Sequence, residues 1–284
     1  MMIDDILNNG LMEDNILDAL RNSVVIEISN VVNYRYEIEG DFGMNDMPNI
    51  APAFPLMWFE WSIPKQINYK GQISKINIGI EKTGVLWYSY KEESRWGVEV
   101  FVFEKYIDDV IEYVGREKIY ANELGELDLN EPRHIEYVRS VVNRLVELNQ
   151  LDPKVAENHV SKSIESNFML TGIAVSFMHC KNVKSNKIEH PKALQKARLR
   201  RKKLPLVEYH ILEISPIKKI LNEVGQAETQ GFKQALHICR GHFKDYSNGS
   251  GLFGKYQGLY WWEDQIRGSA KEGIIMKDYK IKTE

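Results

Sequence analysis

From Ser23 to Tyr106 apolar and polar positions alternate in short runs, with β-branched and aromatic residues favoured. SVVIEISNVVNYRYEIE (residues 23–39), LMWFEWSIP (56–64), ISKINIGIE (73–81), GVLWYSYKE (84–92) and WGVEVFVFEKY (96–106) each read as strand. Prolines and glycines between residues 40 and 55 mark a loop. Residues 1–106 therefore read as an N-terminal helical stretch followed by antiparallel strands.

Past Tyr106 the period changes. LNEPRHIEYVRSVVNRLVELNQL places Ile135, Val138, Val142, Leu145 and Leu148 three or four apart, with Pro132 near the start, which predicts a helix. DPKVAENHVSKSIESNF predicts a second, with Asp152 as cap and Pro153 in the first turn. Residues 107–168 thus form a helical segment. Residues 169–284 return to strand at FMLTGIAVSFMHCKNV, PLVEYHILEISP, FKQALHICRGHFKDY, KYQGLYWW and GIIMKDYKIK. The pattern predicts an α+β fold, with mainly antiparallel sheet in the N-terminal and C-terminal halves and a helical segment between them.

Composition narrows the class. A hydrophobic content of 43% with 27% charged residues is that of a soluble globular chain, and no apolar run is long enough to span a membrane. The acidic amphipathic start lacks the features of a secretory signal, and the two cysteines, Cys180 and Cys239, suit a reducing compartment, so the expected location is the cytoplasm. No metal-ligand spacing, phosphate-binding loop or dinucleotide fingerprint occurs, so no metal or cofactor is expected.

Net charge is −3, which makes one segment conspicuous. KSNKIEHPKALQKARLRRKKLPL (184–206) gathers Lys192, Lys196, Arg198, Arg200, Arg201, Lys202 and Lys203, a basic loop between two expected strands. Such a run attracts phosphates by Coulomb interaction and counterion release, and it also suits a solvated face. A second concentration is HICRGHFKDYSNGSGLFGKYQGLYWWEDQIRGS (237–269). If HICRGHF is one strand, Arg240, His242 and Lys244 project together. His242 has the proton affinity for acid or base work near neutral pH, and Arg240 and Arg267 stabilise developing charge without titrating. On LYWW, Trp261 opposes Tyr260 and Trp262, so one face offers Trp261 or Trp262 for stacking on a base.

Two stretches, SFMHCKNV…PKALQKARLRRKKLPLVEYHILEI and HICRGHFKDY…LYWWEDQIRGS, resemble a family of uncharacterised proteins encoded by bacteriophages and prophages. In that family a strand ending in Cys-Lys-Asn-Val (here Cys180 to Val183) precedes a basic segment (Lys196 to Lys203), a Pro-Leu-x-x-Tyr-x-x-Leu strand (Pro205 to Leu212) and an Arg-Gly-His motif (Arg240 to His242). This chain departs from it at Cys239 and at Lys202–Lys203. The resemblance implies a phage or prophage setting and carries over no activity. Two readings follow from the residues. One is an RNA-binding protein acting as a metal-independent endoribonuclease, with His242, Arg240 and Arg267 catalytic and Lys196, Arg198, Arg200, Arg201, Lys202, Lys203, Trp261 and Trp262 holding the strand. The other is a non-catalytic factor that binds a host or phage protein, motivated by the acidic charge and the aromatic FPLMWFEW.

Overall fold

In the computed structural model the chain divides into two compact units, Met1–His179 with Lys184–Glu213, and Cys180–Val183 with Ile214–Glu284. The structure describes residues 1–9, 12–37, 47–69, 72–75, 79–201, 206–214, 235–239, 242–252, 254–262, 265–267 and 269–274. The boundaries expected at 106 and 168 both fall inside the first unit.

The first unit starts with helices α1 (Met2–Asn9) and α2 (Asp14–Arg21), strand β1 (Val24–Glu27), helix α3 (Ser29–Glu37) and strand β2 (Leu56–Ser62). A hairpin of β3 (Gln66–Tyr69) and β4 (Gln72–Lys75) precedes the long strands β5 (Ile80–Glu92), β6 (Arg95–Tyr106) and β7 (Ile111–Asn122). After β8 (His134–Tyr137) come α4 (Arg139–Asn149), α5 (Pro153–Met178), β9 (Val183–Ile188), α6 (Lys192–Arg200) and β10 (Tyr209–Ile214). An eight-stranded sheet runs in the order β8-β7-β6-β5-β2-β1-β10-β9.

The α+β class holds, but the sheet is mixed. β5 to β8 form an antiparallel meander, whereas β1 is parallel to both β2 and β10. The reason lies in residues 23–39, expected as strand: only β1 forms, and α3 follows it. Val31 and Val32 are both buried within α3, so packing outweighs the low helix propensity of β-branched residues there. A helical connection between β1 and β2 is what a parallel pair requires.

Two layers of helix cover the sheet. On one face α1 and α2 bury Ile3, Ile6, Leu17 and Leu20 with Trp58, Leu86 and Phe103. The Glu60 carboxylate accepts from the backbone N–H groups of Met2 (2.9 Å) and Ile3 (3.3 Å) at the start of α1, and from Trp58 Nε1 (3.2 Å). These helix-end donors have no partner within the helix, so a buried carboxylate there is stabilising. On the other face lies α5, whose Phe168 ring stacks on Trp87 at 5.9 Å while Thr171 Oγ1 accepts from Trp87 Nε1 at 2.9 Å.

The expected start of α5 is observed: Asp152 accepts from the Lys154 N–H at 2.9 Å and Pro153 occupies the first turn. The strand expected from Phe168 onward is instead the second half of this 26-residue helix. A continuous apolar run fits a buried strand and a buried helix equally; no further proline interrupts the helix after Pro153, and Gly172 is accommodated inside it. His179 therefore caps a helix and does not end a strand. Residues 107–168 are likewise not all helical, because β7 and β8 complete the meander and α4 begins only at Arg139, well after Pro132. The basic segment expected as a loop contains α6, since Ala, Leu, Gln, Lys and Arg are all strong helix formers.

The second unit holds β11 (Ala235–Cys239), β12 (His242–Asp245), β13 (Leu259–Trp262), β14 (Gln265–Arg267) and β15 (Ser269–Ile274). These make a three-stranded sheet, β14-β11-β15, and an antiparallel hairpin, β12-β13. HICRGHF is thus two strands in separate sheets. Along β13, Lys181 N–H donates to Leu259 O at 2.8 Å. The Asn182 side chain donates to Trp261 O and accepts from Trp261 N–H, both at 2.9 Å, as a strand backbone would. Among the described residues no helix is long and apolar enough to cross a membrane.

Candidate nucleic-acid interface

Helix α6 has no buried residue. Lys192, Lys196 and Arg200 recur every four positions, so they line one stripe with about 6 Å of axial rise between neighbours. All three are exposed, as is Arg201 at the C-terminal cap, while Gln195 and Arg198 are half-buried on the opposite side. Gln195 anchors the helix: its amide donates to Leu206 O and accepts from Leu206 N–H, both at 2.8 Å. Among the described residues, Lys192, Lys196, Arg200 and Arg201 form no ion pair. Lys202 and Lys203 lie outside the described residues.

The cations of the large sheet and its helices are held differently. Arg116 meets Glu136 at 2.9 Å and Glu99 at 3.4 Å, Arg144 meets Glu112 at 3.0 Å and Asp108 at 3.2 Å, and Arg133 bridges the fully buried Glu117 and Glu165. Burial pushes the Glu117 carboxyl up, and the Arg133 guanidinium pulls it back down. Glu104, opposite Glu112 in the β6–β7 register, has hydroxyl partners instead: it accepts from Tyr106 at 3.1 Å and Ser163 at 3.2 Å. Burial drives its carboxyl above the usual range.

On the β12-β13 hairpin, His242 pairs with Trp262 and Lys244 with Tyr260. These residues share one face, on which His242 and Lys244 are exposed, so the expected projection of that pair is present. Trp261 faces the other way and is 1% exposed, packed against Phe243 at 4.7 Å. Its burial leaves it no exposed face for stacking, whereas Trp262 is half-buried. Arg240 lies outside the described residues, and Arg267 is on β14, paired in register with His237, so it is not part of the hairpin.

The hairpin face also carries groups that sequence reasoning missed. Tyr260 sits between Tyr246 (6.1 Å) and Tyr256 (6.4 Å) in edge-on contacts, with Leu252 and Trp262 packed alongside. Lys244 Nζ lies over the Tyr246 ring and Lys255 Nζ over the Tyr256 ring, at 5.1 and 5.5 Å. Among the described residues, the Tyr246 and Tyr256 hydroxyls and the Trp262 indole N–H are buried without a hydrogen-bond partner. Each such group costs about 1–3 kcal/mol. The tyrosines were visible in the sequence, but their convergence depends on the glycine turns at Gly249, Gly251, Gly254 and Gly258, all with positive φ.

Cys180 is buried and its thiol is pushed up to about 12, so it is no nucleophile. Among the described residues no group of three His, Cys, Asp or Glu side chains is placed to share a metal ion. Comparisons with protein-family models, curated proteins and solved structures find no match to this chain.

Proposed function

We propose that this protein binds nucleic acid, RNA foremost, through the exposed face of α6. The observation that carries the reading is the stripe of Lys192, Lys196 and Arg200, three cations with no carboxylate partner among the described residues, in a chain whose formal charge is −3. Acid is plentiful, and it pairs with Arg116, Arg133 and Arg144, whereas Lys192, Lys196 and Arg200 form no ion pair among the described residues. A polyanion is the ligand that such a stripe attracts, through Coulomb interaction and release of counterions. The anchored helix holds the charges at fixed spacing, so little side-chain scaffold has to be ordered on binding.

His242 and Lys244, projecting together opposite Trp262 and Tyr260, favour a second reading in which bound RNA is also cleaved. His242 would take the 2′-hydroxyl proton as that oxygen bonds to phosphorus, the 5′-oxygen would leave with a proton taken from water, and Lys244 would stabilise charge on the phosphate.

One experiment addresses both readings. Labelled RNA and single-stranded DNA are incubated with the protein in EDTA at several salt concentrations. Wild type is expected to bind with a steep salt dependence, and Lys192→Ala/Lys196→Ala/Arg200→Ala to lose about two units of the log–log slope, at about 0.7 per phosphate contact. An unchanged slope rejects α6 as the interface. RNA cleavage that disappears in His242→Ala supports catalysis, and intact RNA throughout leaves a binding protein.

A further inference from the structure

The aromatic cluster on the β12-β13 hairpin is not absorbed by α6. We infer that it is a site for a single nucleobase, lined by Tyr246, Tyr256, Tyr260 and Trp262, with flanking phosphate held by Lys244 and Lys255. The inference names a contact for the same ligand class as the proposed function, and rests on that reading only for the step from mononucleotide to strand.

Its motivation is a contrast among the buried polar atoms that lack a partner. Among the described residues of the first unit these include the isolated Ser89 hydroxyl and the second oxygens of Glu112 and Glu117, carboxylates whose other oxygen is already paired with Arg144 and Arg133. In the hairpin three whole donor groups gather around one aromatic cluster, the hydroxyls of Tyr246 and Tyr256 and the N–H of Trp262. Phenylalanine in place of either tyrosine would supply the same ring without the cost, so a packing role alone does not account for the hydroxyls. All three groups are hydrogen-bond donors on aromatic walls. The complement of that set is a flat heterocycle rich in carbonyl oxygens and ring nitrogens, which is what a nucleobase presents. Lys244 and Lys255 are exposed at the rim, and His242 stands on the same face.

Entry does not require the hairpin to unfold. Leu252 and Tyr256 exchange two backbone hydrogen bonds with each other, at 2.8 and 3.0 Å, and glycines with positive φ stand at Gly251 and Gly258. Entry requires only that the Tyr256 ring leave Tyr260, a side-chain movement outside the four register pairs of β12 and β13.

The test is calorimetric titration of the full chain with the four ribonucleoside 5′-monophosphates, alongside thermal melting. Wild type is expected to bind at least one of them saturably. Tyr246→Phe/Tyr256→Phe is expected to weaken that binding about tenfold or more while its melting temperature stays level or rises, because unsatisfied groups have been removed. Trp262→Phe, which keeps a ring and removes the donor, is expected to weaken binding as well. No saturable binding of any nucleotide up to about 1 mM overturns the site, and so does undiminished affinity in the double variant. A double variant that binds poorly and melts lower also overturns it, since the hydroxyls would then be structural. The α6 triple alanine variant separates the two readings: it should bind mononucleotides like wild type, whatever becomes of its affinity for a strand.

Discussion

Arg116, Arg133 and Arg144 each hold two carboxylates, whereas Lys192, Lys196 and Arg200 on α6 hold none among the described residues. Both sets belong to the same compact unit, so the difference is one of placement and not of composition. Antiparallel strands bring acids and bases opposite one another across the ladder, as with Arg116 and Glu136 on β7 and β8. α6 is a nine-residue helix with no acid of its own, resting on the chain through Gln195, and its Lys192, Lys196 and Arg200 stripe has no ion-pair partner among the described residues. A charge locked in a pair contributes to the fold; a charge left open is available to a ligand.

The sharpest way to break this comparison is at Arg133. Its guanidinium offsets Glu117, which is fully buried, and passes over the Phe168 ring at 5.8 Å on its way to Glu165. Arg133→Ala leaves that carboxylate without compensation and is expected to cost about 3 kcal/mol or more, read from the urea midpoint of the first unit. The α6 triple alanine variant, measured in the same way, should stay within about 0.5 kcal/mol of wild type. Equal losses from the two would mean that α6 is structural after all.

Glu104 offers an intermediate effect, because it is buried beside Glu112 with hydroxyl donors and no cation. Arg144 from α4 spends its charge on Glu112 and Asp108, and Ser163 from α5 supplies only a hydroxyl. Burial is the chief cause of the raised carboxyl, with Glu112 adding to it. Below the ordinary value of 4.5 both folded and unfolded chains carry the proton, and the full stability is present. As the pH rises above that value the unfolded chain ionises first, so stability falls until the folded group titrates, by at most about 1.4 kcal/mol per pH unit. Glu104→Gln has no proton to lose. Its stability relative to wild type should therefore grow from about pH 4.5 upward, and parallel urea midpoints for the two proteins across that range would show that Glu104 ionises normally.

The parts of this picture that could be read from sequence are those set by local chemistry. Asp152 and Pro153 announced the start of α5, and the alternation of Val98, Val100 and Val102 announced β6, because each signal lies within a few residues. Phe168 to Phe177 misled because apolar continuity has no period of its own, and Val31–Val32 because β-branched residues inside α3 are outweighed by packing. The basic run was legible as charge but not as geometry: the Lys192, Lys196, Arg200 stripe exists only once α6 is a helix. The orphaned hydroxyls of Tyr246 and Tyr256 had no sequence signal, since a missing partner is a property of three-dimensional packing.

The smallest expected effect gives the finest control. Arg116 makes a two-pronged contact with Glu136, Nε to Oε2 at 2.9 Å and Nη2 to Oε1 at 3.0 Å, with Glu99 at 3.4 Å behind it. The geometry is favourable, yet the side chains of Arg116 and Glu136 are 41% and 66% exposed, so solvent screens most of the attraction. Arg116→Ala should cost less than about 1 kcal/mol in urea, and a double-mutant cycle with Glu136→Ala should assign a few tenths of that to the pair. It should also leave RNA affinity and its salt slope unchanged, because a cation already shared between two carboxylates releases no counterion when a phosphate approaches. If Arg116→Ala flattened the slope as much as the α6 variant does, pairing would not be what distinguishes the two sets of cations, and the reason for choosing α6 as the interface would be lost.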